Sequence, residues 1–319
     1  MNRRSFLQAA ALASLPLPSL ANNYPSRPIN FIIPSTPGGL IDTMTRALIP
    51  DMQTELGQPI VPDNKPGAQQ MIGSTAAARA AADGYTIALL TSGVLSINPH
   101  LMPNVQFDPR TAFTPLSLLA KSSALVIVNA NSPIDSFETL LDRMKKGERL
   151  TYATGGIGIS PHLTGELLRQ RLNLNIEHVP FNGNPAAINA TLGNHVDFLI
   201  DFVSTSGQLV SSGDLRALAV TTLSRVDVLP NIPTIAEFVP DFEVAGWMTV
   251  CAPAGTPAHI VTKLTNAIHH SLDTKEVSSF LSSNALIKSS STPEEAQKFI
   301  LSEYNRWGEI IKRAKISYS

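Results

Sequence analysis

The sequence predicts an α/β protein of two lobes, each a mostly parallel sheet wound on both faces by helices, with a cleft between them. Three observations predict it. Short apolar runs rich in β-branched residues alternate with helical patterns along nearly the whole chain, the grammar of βαβ units. One opening device, a strand running into a glycine loop and then a helix, occurs near residue 29 and again near residue 150. Two extended apolar runs, 124–130 and 244–252, stand where the chain must pass from one unit to the other and return. A chain of 319 residues with 43% hydrophobic content can bury such a core and has room for about two domains.

Ahead of the first strand, Arg3 and Arg4 precede a short apolar stretch, and Ser19-Leu20-Ala21 closes it in small-x-small form. This describes a secretory signal peptide over 1–21, with an apolar part too short to span a bilayer. The run Asn2-Arg-Arg-Ser-Phe-Leu-Gln8 also resembles a twin-arginine export signal, with ordinary secretion open beside it. Cleavage after Ala21 removes both arginines and takes the net charge from −1 to −3. The expected location is the periplasm.

Ile29–Ile33 is a buried-strand pattern that Pro34 ends, and after Ser35-Thr36-Pro37-Gly38-Gly39 the apolar residues Leu40, Met44 and Leu48 recur at helical spacing. Such a turn leaves backbone N–H groups of the helix start unpaired beyond the strand's carboxyl end, where open α/β sheets bind ligands, and it suits an anion. It is no nucleotide fingerprint, because neither G-x-G-x-x-G nor G-x-x-x-x-G-K-[ST] is present. Alone it reads first as a plain β-to-α turn with glycines for steric reasons, ahead of an anion site.

Further strands are expected at 60–61 and 86–90 around an Ala-rich helix at 74–82, the second ending at Thr91-Ser92-Gly93. After a strand at 124–128 the pattern restarts with a helix at 137–144, a strand at 150–153, the loop 154–160 and a helix from Pro161. Strands at 176–179, 197–200 and 215–221 follow, the first ending at a turn beside a helix start and the second at Asp201. Beyond 244–252 helices are expected at about 257–271, 275–285 and 293–313, the last opened by Thr292-Pro293-Glu294-Glu295. Pro50 interrupts the first helix.

With 24 basic and 25 acidic residues the chain has no long-range field for polyanions, which argues against a nucleic-acid partner. Cys251, the only cysteine, lies in an apolar run and reads as a small buried hydrophobe. Seven histidines occur without G-x-S-x-G or H-E-x-x-H spacing, so no metal, cofactor or catalytic residue is assigned and the protein is not read as an enzyme. Ser160 and His162 are two apart at a helix start and do not face each other; His162 reads as capping or packing ahead of ligand contact. Asp42 with Arg46 reads either as a surface i,i+4 pair or as a cleft residue, and Asp201 either as a ligand contact or as a partner of nearby loop N–H groups. His269-His270 reads as helix surface.

An ordered set of short motifs spans nearly the whole mature chain: Tyr24-Pro-x-Arg-Pro-Ile29, Pro37-Gly-Gly-x-x-Asp42, Asn64-Lys-Pro-Gly-Ala68, Asp83-Gly-Tyr-Thr86, Ile97-Asn-Pro99, Phe113-Thr-Pro115, His162-Leu163, Val179-Pro-Phe-x-Gly183, Leu215-Arg-Ala-Leu-Ala-Val220, Leu229-Pro-x-Ile-Pro-Thr234, Trp247 and Ala252-Pro-Ala-Gly-Thr-Pro257. In this set the chain resembles the Bug-type extracytoplasmic solute receptors of tripartite tricarboxylate transporters. The resemblance implies a type II-like periplasmic binding protein. Its lobe 1 would be 22–125 with 245–319 and its lobe 2 would be 126–244, joined by two crossing strands and closing as a monomer on a small carboxylate. It implies ligand contacts from Thr36, Gly38, Gly39, Leu40, Ile41 and Asp42; from Thr91 and Ser92; from Thr154, Gly156, Gly158, Ile159, Ser160 and His162; and from Phe181, Asn182, Gly183 and Asp201. The carboxylate would be held by backbone N–H groups, hydroxyls and ordered water, without a dedicated cation. Its partners would be membrane transporter subunits, with a sensor ectodomain, for which it would act as co-receptor, as the alternative and an exported hydrolase as a third reading. Leu40, Ile159 and Phe181 stand where the family often carries small or hydroxylated residues, which points to a ligand with an apolar or aromatic body.

Overall fold

The computed structural model describes residues 24–316, so the expected signal peptide at 1–21 lies outside the described residues. β1 (Ile29–Ile33) forms the middle of a parallel trio, with β2 (Ile60–Asn64) on one side and β3 (Thr86–Thr91) on the other. Its β-branched and aromatic side chains are buried almost throughout, as a strand covered on both faces requires. α1 (Leu40–Leu56) follows and stops at Gly57, whose φ of 66° places it in the left-handed cap that glycine accepts freely. Pro50 does not end α1. Its ring faces outward, while Met52 and Leu56 beyond it stay buried and hold the last turns down.

Beyond the strand end at Thr91, where the sequence pattern assigns no element, a π-helical turn (Gly93–Ile97) runs into the short α3 (Asn98–Leu101). α2 is Met71–Ala78. The largest difference is β4 (Phe113–Asn129), a 17-residue strand that begins eleven residues before the expected 124. Polar Ser117, Lys121, Ser122 and Ser123 interrupt its apolar pattern and hide that first half in the sequence.

β4 joins the two lobes. Its first half pairs antiparallel with β9 (Ala245–Pro253), which also pairs with β3, and with the short β10 (Leu286–Lys288). Its second half runs between β7 (Phe198–Phe202) and β8 (Leu215–Val220) of the second sheet, where β7 leads on to β5 (Leu150–Thr154) and β6 (Ile176–Pro180). The return passage lies beside it: Val244 N–H donates to Thr221 O just before β9 begins, and Thr221 N–H donates to Ala124 O. Helices α4 (Phe137–Lys145), α5 (Ser160–Leu172), α6 (Asn184–Leu192) and α7 (Val203–Ser212) cover the second sheet. Helices α8 (Ala258–Leu272) and α9 (Lys275–Ser283) return to the first, α9 ending before left-handed Ala285 turns the chain into β10.

Two large cores result, one around Phe31, Met44 and Leu264, the other around Tyr152, Phe198 and Leu163. α10 (Pro293–Ala314) packs on both lobes: Ala296 and Ile300 sit with first-lobe residues, whereas Trp307, Ile310 and Ile311 sit in the second core. Cys251 is a buried member of the first lobe, and burial pushes its thiol up to about 12. His269 is half-buried rather than on the helix surface, with Nε2 at 3.0 Å from Ser117 Oγ.

Candidate functional site

A cavity of about 1010 Å³ opens between the lobes, at the carboxyl ends of β1 and β3 in one sheet and of β5, β6 and β7 in the other. That is where α/β sheets present helix starts to a ligand. Five α-helices have an N-cap residue on the cavity wall, namely Gly39 of α1, Gln70 of α2, Ile97 of α3, Ile159 of α5 and Phe202 of α7, and none has a side-chain cap. Away from the cavity wall, α4, α9 and α10 are capped by Ser136, Thr274 and Thr292; α6, begun at Gly183, and α8, begun at Pro257, are uncapped. The first N–H groups of α1 and α5 therefore face the cavity without intrahelical acceptors. Among the described residues no ionisable side chain lines the wall.

Side chains behind the wall hold each loop in shape. Asp42 is buried, and its carboxylate accepts from Gly38 N–H at 2.8 Å, from Arg46 Nε at 2.9 Å and from Asn64 Nδ2 at 2.9 Å. Burial alone would raise its pKa, but the bonds from Arg46, Gly38 and Asn64 outweigh that and hold it below the ordinary carboxylate range. Gly38, at φ 82°, supplies the left-handed turn that brings this loop back over Asp42.

In the second lobe Thr154 Oγ1 donates to Gly156 O at 2.9 Å and lies 2.7 Å from His178 Nε2. His162 Nδ1 accepts from Gly158 N–H at 3.0 Å, and its ring stacks on His178 with centroids 3.9 Å apart. Burial drives both imidazoles toward the neutral form, His162 to about 4 and His178 to about 3. Asp201 is buried in β7 and accepts from Asn184 Nδ2 and Thr205 Oγ1, both at 2.8 Å, and from Ser206 Oγ at 2.5 Å. Burial raises its pKa despite the hydroxyls of Ser206 and Thr205.

Residues 44–316 match the model of the tripartite tricarboxylate transporter family receptor. The chain belongs to this receptor family. Among solved structures the receptor is similar to periplasmic binding protein BugD, with 33% identity, a TM-score of 0.72, and coverage of 92% of this chain and 100% of that one. It is also similar to R. palustris Rpa4515 solved with adipate, at 31% identity, a TM-score of 0.76, and 92% and 100% coverage. A third, MatC from Rhodopseudomonas palustris with bound malate, shares 27% identity at a TM-score of 0.71, covering 90% and 100%. The two-lobed periplasmic binding protein fold is thus shared, and these relatives are solute-binding proteins.

Against the expected contacts, the receptor places Gly39, Leu40 and Ile41, Thr91 and Ser92, Gly156, Gly158, Ile159 and Ser160, and Phe181 and Asn182 on the cavity wall. Thr36, Gly38, Asp42, Thr154, His162, Gly183 and Asp201 are not on that wall. For Asp42, His162 and Asp201 the reason is that their polar atoms are engaged in fixing the loops from behind. Sequence reasoning missed Gln69, Gln70, Asn98, Ser122, Phe202 and Trp247, all on the wall. Three consecutive non-glycine residues with positive φ mark the Gln69–Gln70 turn, a signal that only the backbone reveals.

Behind the wall, the Ser96 hydroxyl in the π-helical turn is fully buried and has no hydrogen-bond partner among the described residues. An unsatisfied buried hydroxyl costs about 1–3 kcal/mol. Ser96→Ala is expected to stabilise the receptor by about 1 kcal/mol in urea titration; a loss of stability would contradict this.

Proposed function

We propose that the receptor is periplasmic and captures a small organic carboxylate with an apolar or aromatic body. It closes on this ligand by hinge motion and delivers it to the membrane subunits of a tripartite transporter. The observation that carries this reading is the pairing, across one cavity, of the uncapped starts of α1 and α5 with no ionisable side chain on the wall. An anion there meets backbone N–H groups and the hydroxyls of Ser92 and Ser160. A helix end contributes roughly 0.3–2 kcal/mol to a nearby anion and a hydrogen bond to a charged group roughly 1.5–3. Two ends and three or four such bonds are enough for micromolar binding, about −8 kcal/mol, after ordering costs. Leu40, Ile159, Phe181, Phe202 and Trp247 supply the apolar surface for the ligand's body.

The closing bodies are 22–125 with most of 245–319, and 126–244, turning about β4 and the return passage. α10, anchored in both cores, shifts with closure. No catalytic step is assigned: His162 Nδ1 already accepts from Gly158 N–H and does not activate Ser160. The receptor acts as a monomer without a cofactor.

The chain has two tryptophans, Trp247 on the cavity wall and Trp307 behind it, whose indole N–H groups both point to Glu303. Titration with adipate, malate, benzoate and phenylacetate is expected to change the emission, and Trp247→Phe to remove most of the change. A wild type that responds to no member of a broad acid panel, by emission or by thermal shift, contradicts the reading.

A further inference from the structure

We propose that Gln70 sets the receptor's specificity by donating its carboxamide N–H groups to a second oxygen acceptor on the ligand. The preferred ligands are then carboxylates that carry another carboxylate or carbonyl group on the apolar body. The inference rests on the carboxylate reading above and adds to it a side chain that no family motif quoted above contains.

The backbone gives the first observation. Ala68, Gln69 and Gln70 have φ of 44°, 51° and 74°, three successive residues in the left-handed region. Each non-glycine residue there is strained by roughly 1–2 kcal/mol, and such strain concentrates where function over-determines the backbone. Burial does not compensate it, since Ala68 and Gln69 are exposed and Gln70 is half-buried. Glycine would make the same turn without strain. What Gln70 adds to the turn is its side chain.

Hydrogen bonds give the second. Asn98 Nδ2 donates to Gln69 O at 3.1 Å and the buried Ser74 Oγ donates to Gln70 O at 2.8 Å, so the turn is fixed from two neighbouring elements. Thr91 Oγ1 donates to Gln70 Oε1 at 2.8 Å. That bond satisfies the threonine hydroxyl and the amide oxygen together, which sets the amide's orientation and leaves Nε2, a double donor, without a protein partner among the described residues.

The cavity gives the third. Gln69, Gln70, Thr91 and Asn98 all lie on its wall, in the lobe that also carries the start of α1. A carboxamide nitrogen desolvated by closure and left unpaired is unfavourable, and on a wall without cations it matches an oxygen acceptor better than a methylene.

The test is calorimetric titration of acids matched in carbon skeleton, hexanoate against adipate and benzoate against terephthalate, on wild type, Gln70→Gly and Gln70→Glu. Gln70→Gly relieves the strained φ, so its melting temperature is expected at or above that of the wild type. The wild type is expected to prefer a diacid over its monoacid by roughly ten- to hundredfold, the factor of one hydrogen bond to a charged group. Gln70→Gly is expected to lose most of that preference, its affinity for the diacid falling far more than its affinity for the monoacid, and Gln70→Glu to invert it. Persistence of the preference in both variants, a wild-type preference for the monoacids, or equal loss for both acids in Gln70→Gly overturns this inference and leaves the receptor reading standing. Failure of the wild type to bind any of the four acids, and the wider panel above, overturns both.

Discussion

Gly155→Val is expected to abolish ligand binding, weakening it by more than about a hundredfold, and to destabilise the fold by about 1–3 kcal/mol. A Cβ at this position would stand 1.8 Å from Asn184 Oδ1 and 2.9 Å from the Asn184 backbone nitrogen. The contact cannot be relieved locally. Asn184 Nδ2 is held by Asp201, and Gly183 N–H donates to Gly155 O at 3.1 Å, so the loop after β5 and the start of α6 are locked together. Moving them apart displaces Gly156, Ile157 and Gly158 on one side and Asn182 on the other, all on the cavity wall. Calorimetric titration with whichever acid binds the wild type, alongside thermal unfolding, reads both effects. Affinity within about threefold of the wild type would show that the wall does not depend on this close approach.

Acidification is expected to cost stability well before Asp42 titrates. His162 and His178 are buried as neutral rings, with pKa values near 4 and 3 against an ordinary value of 6.5, and burial lowers His100 in the same direction. The unfolded chain therefore takes up protons first as the pH falls below about 6.5. The contribution of these rings is complete above that pH and is lost progressively down to the folded values near 4 and 3. Each ring adds a slope of up to about 1.4 kcal/mol per pH unit within the window. Asp42 is lowered and so acts only below about pH 4, whereas Asp201, raised by burial, takes up its proton more readily in the fold and partly offsets the histidines. Urea titrations at closely spaced pH values are expected to show this fall, and His178→Phe to flatten it. A stability that is constant from pH 7 to pH 5 would contradict the buried neutral pair.

Legibility from sequence followed the strength of local pattern. β1 and the start of α1 were legible because five apolar residues, two prolines and two glycines fall within a dozen positions. The second-lobe strands were legible for the same reason. β4 was only half legible, since its first half alternates serine and lysine with apolar residues and gains its order from pairing with β9 and β10, which are far away in sequence. α6 and α7, rich in alanine, serine and threonine, lack the apolar stripe that marks a helix, and only packing on the second sheet fixes them.

The site was legible as loops and not as roles. Periodicity brought the 36–42 and 154–162 segments to strand ends, but whether a polar residue faces the cavity or the protein behind it depends on partners elsewhere in the chain. Asp42 turns to Arg46 and Asn64, and Asp201 to Asn184, Thr205 and Ser206. Gln70 stayed hidden for the opposite reason: its place on the wall follows from left-handed dihedrals that no residue type in 68–70 announces.

The most direct test is the behaviour of individual backbone amides. In amide-resolved NMR of the labelled receptor, titration with adipate or malate is predicted to shift Leu40 and Ile41 at the start of α1 together with Ser160 at the start of α5, all following one binding curve. Shifts confined to a single lobe, or centred on surface lysines and arginines while these amides stay still, would contradict a ligand gripped between two helix starts.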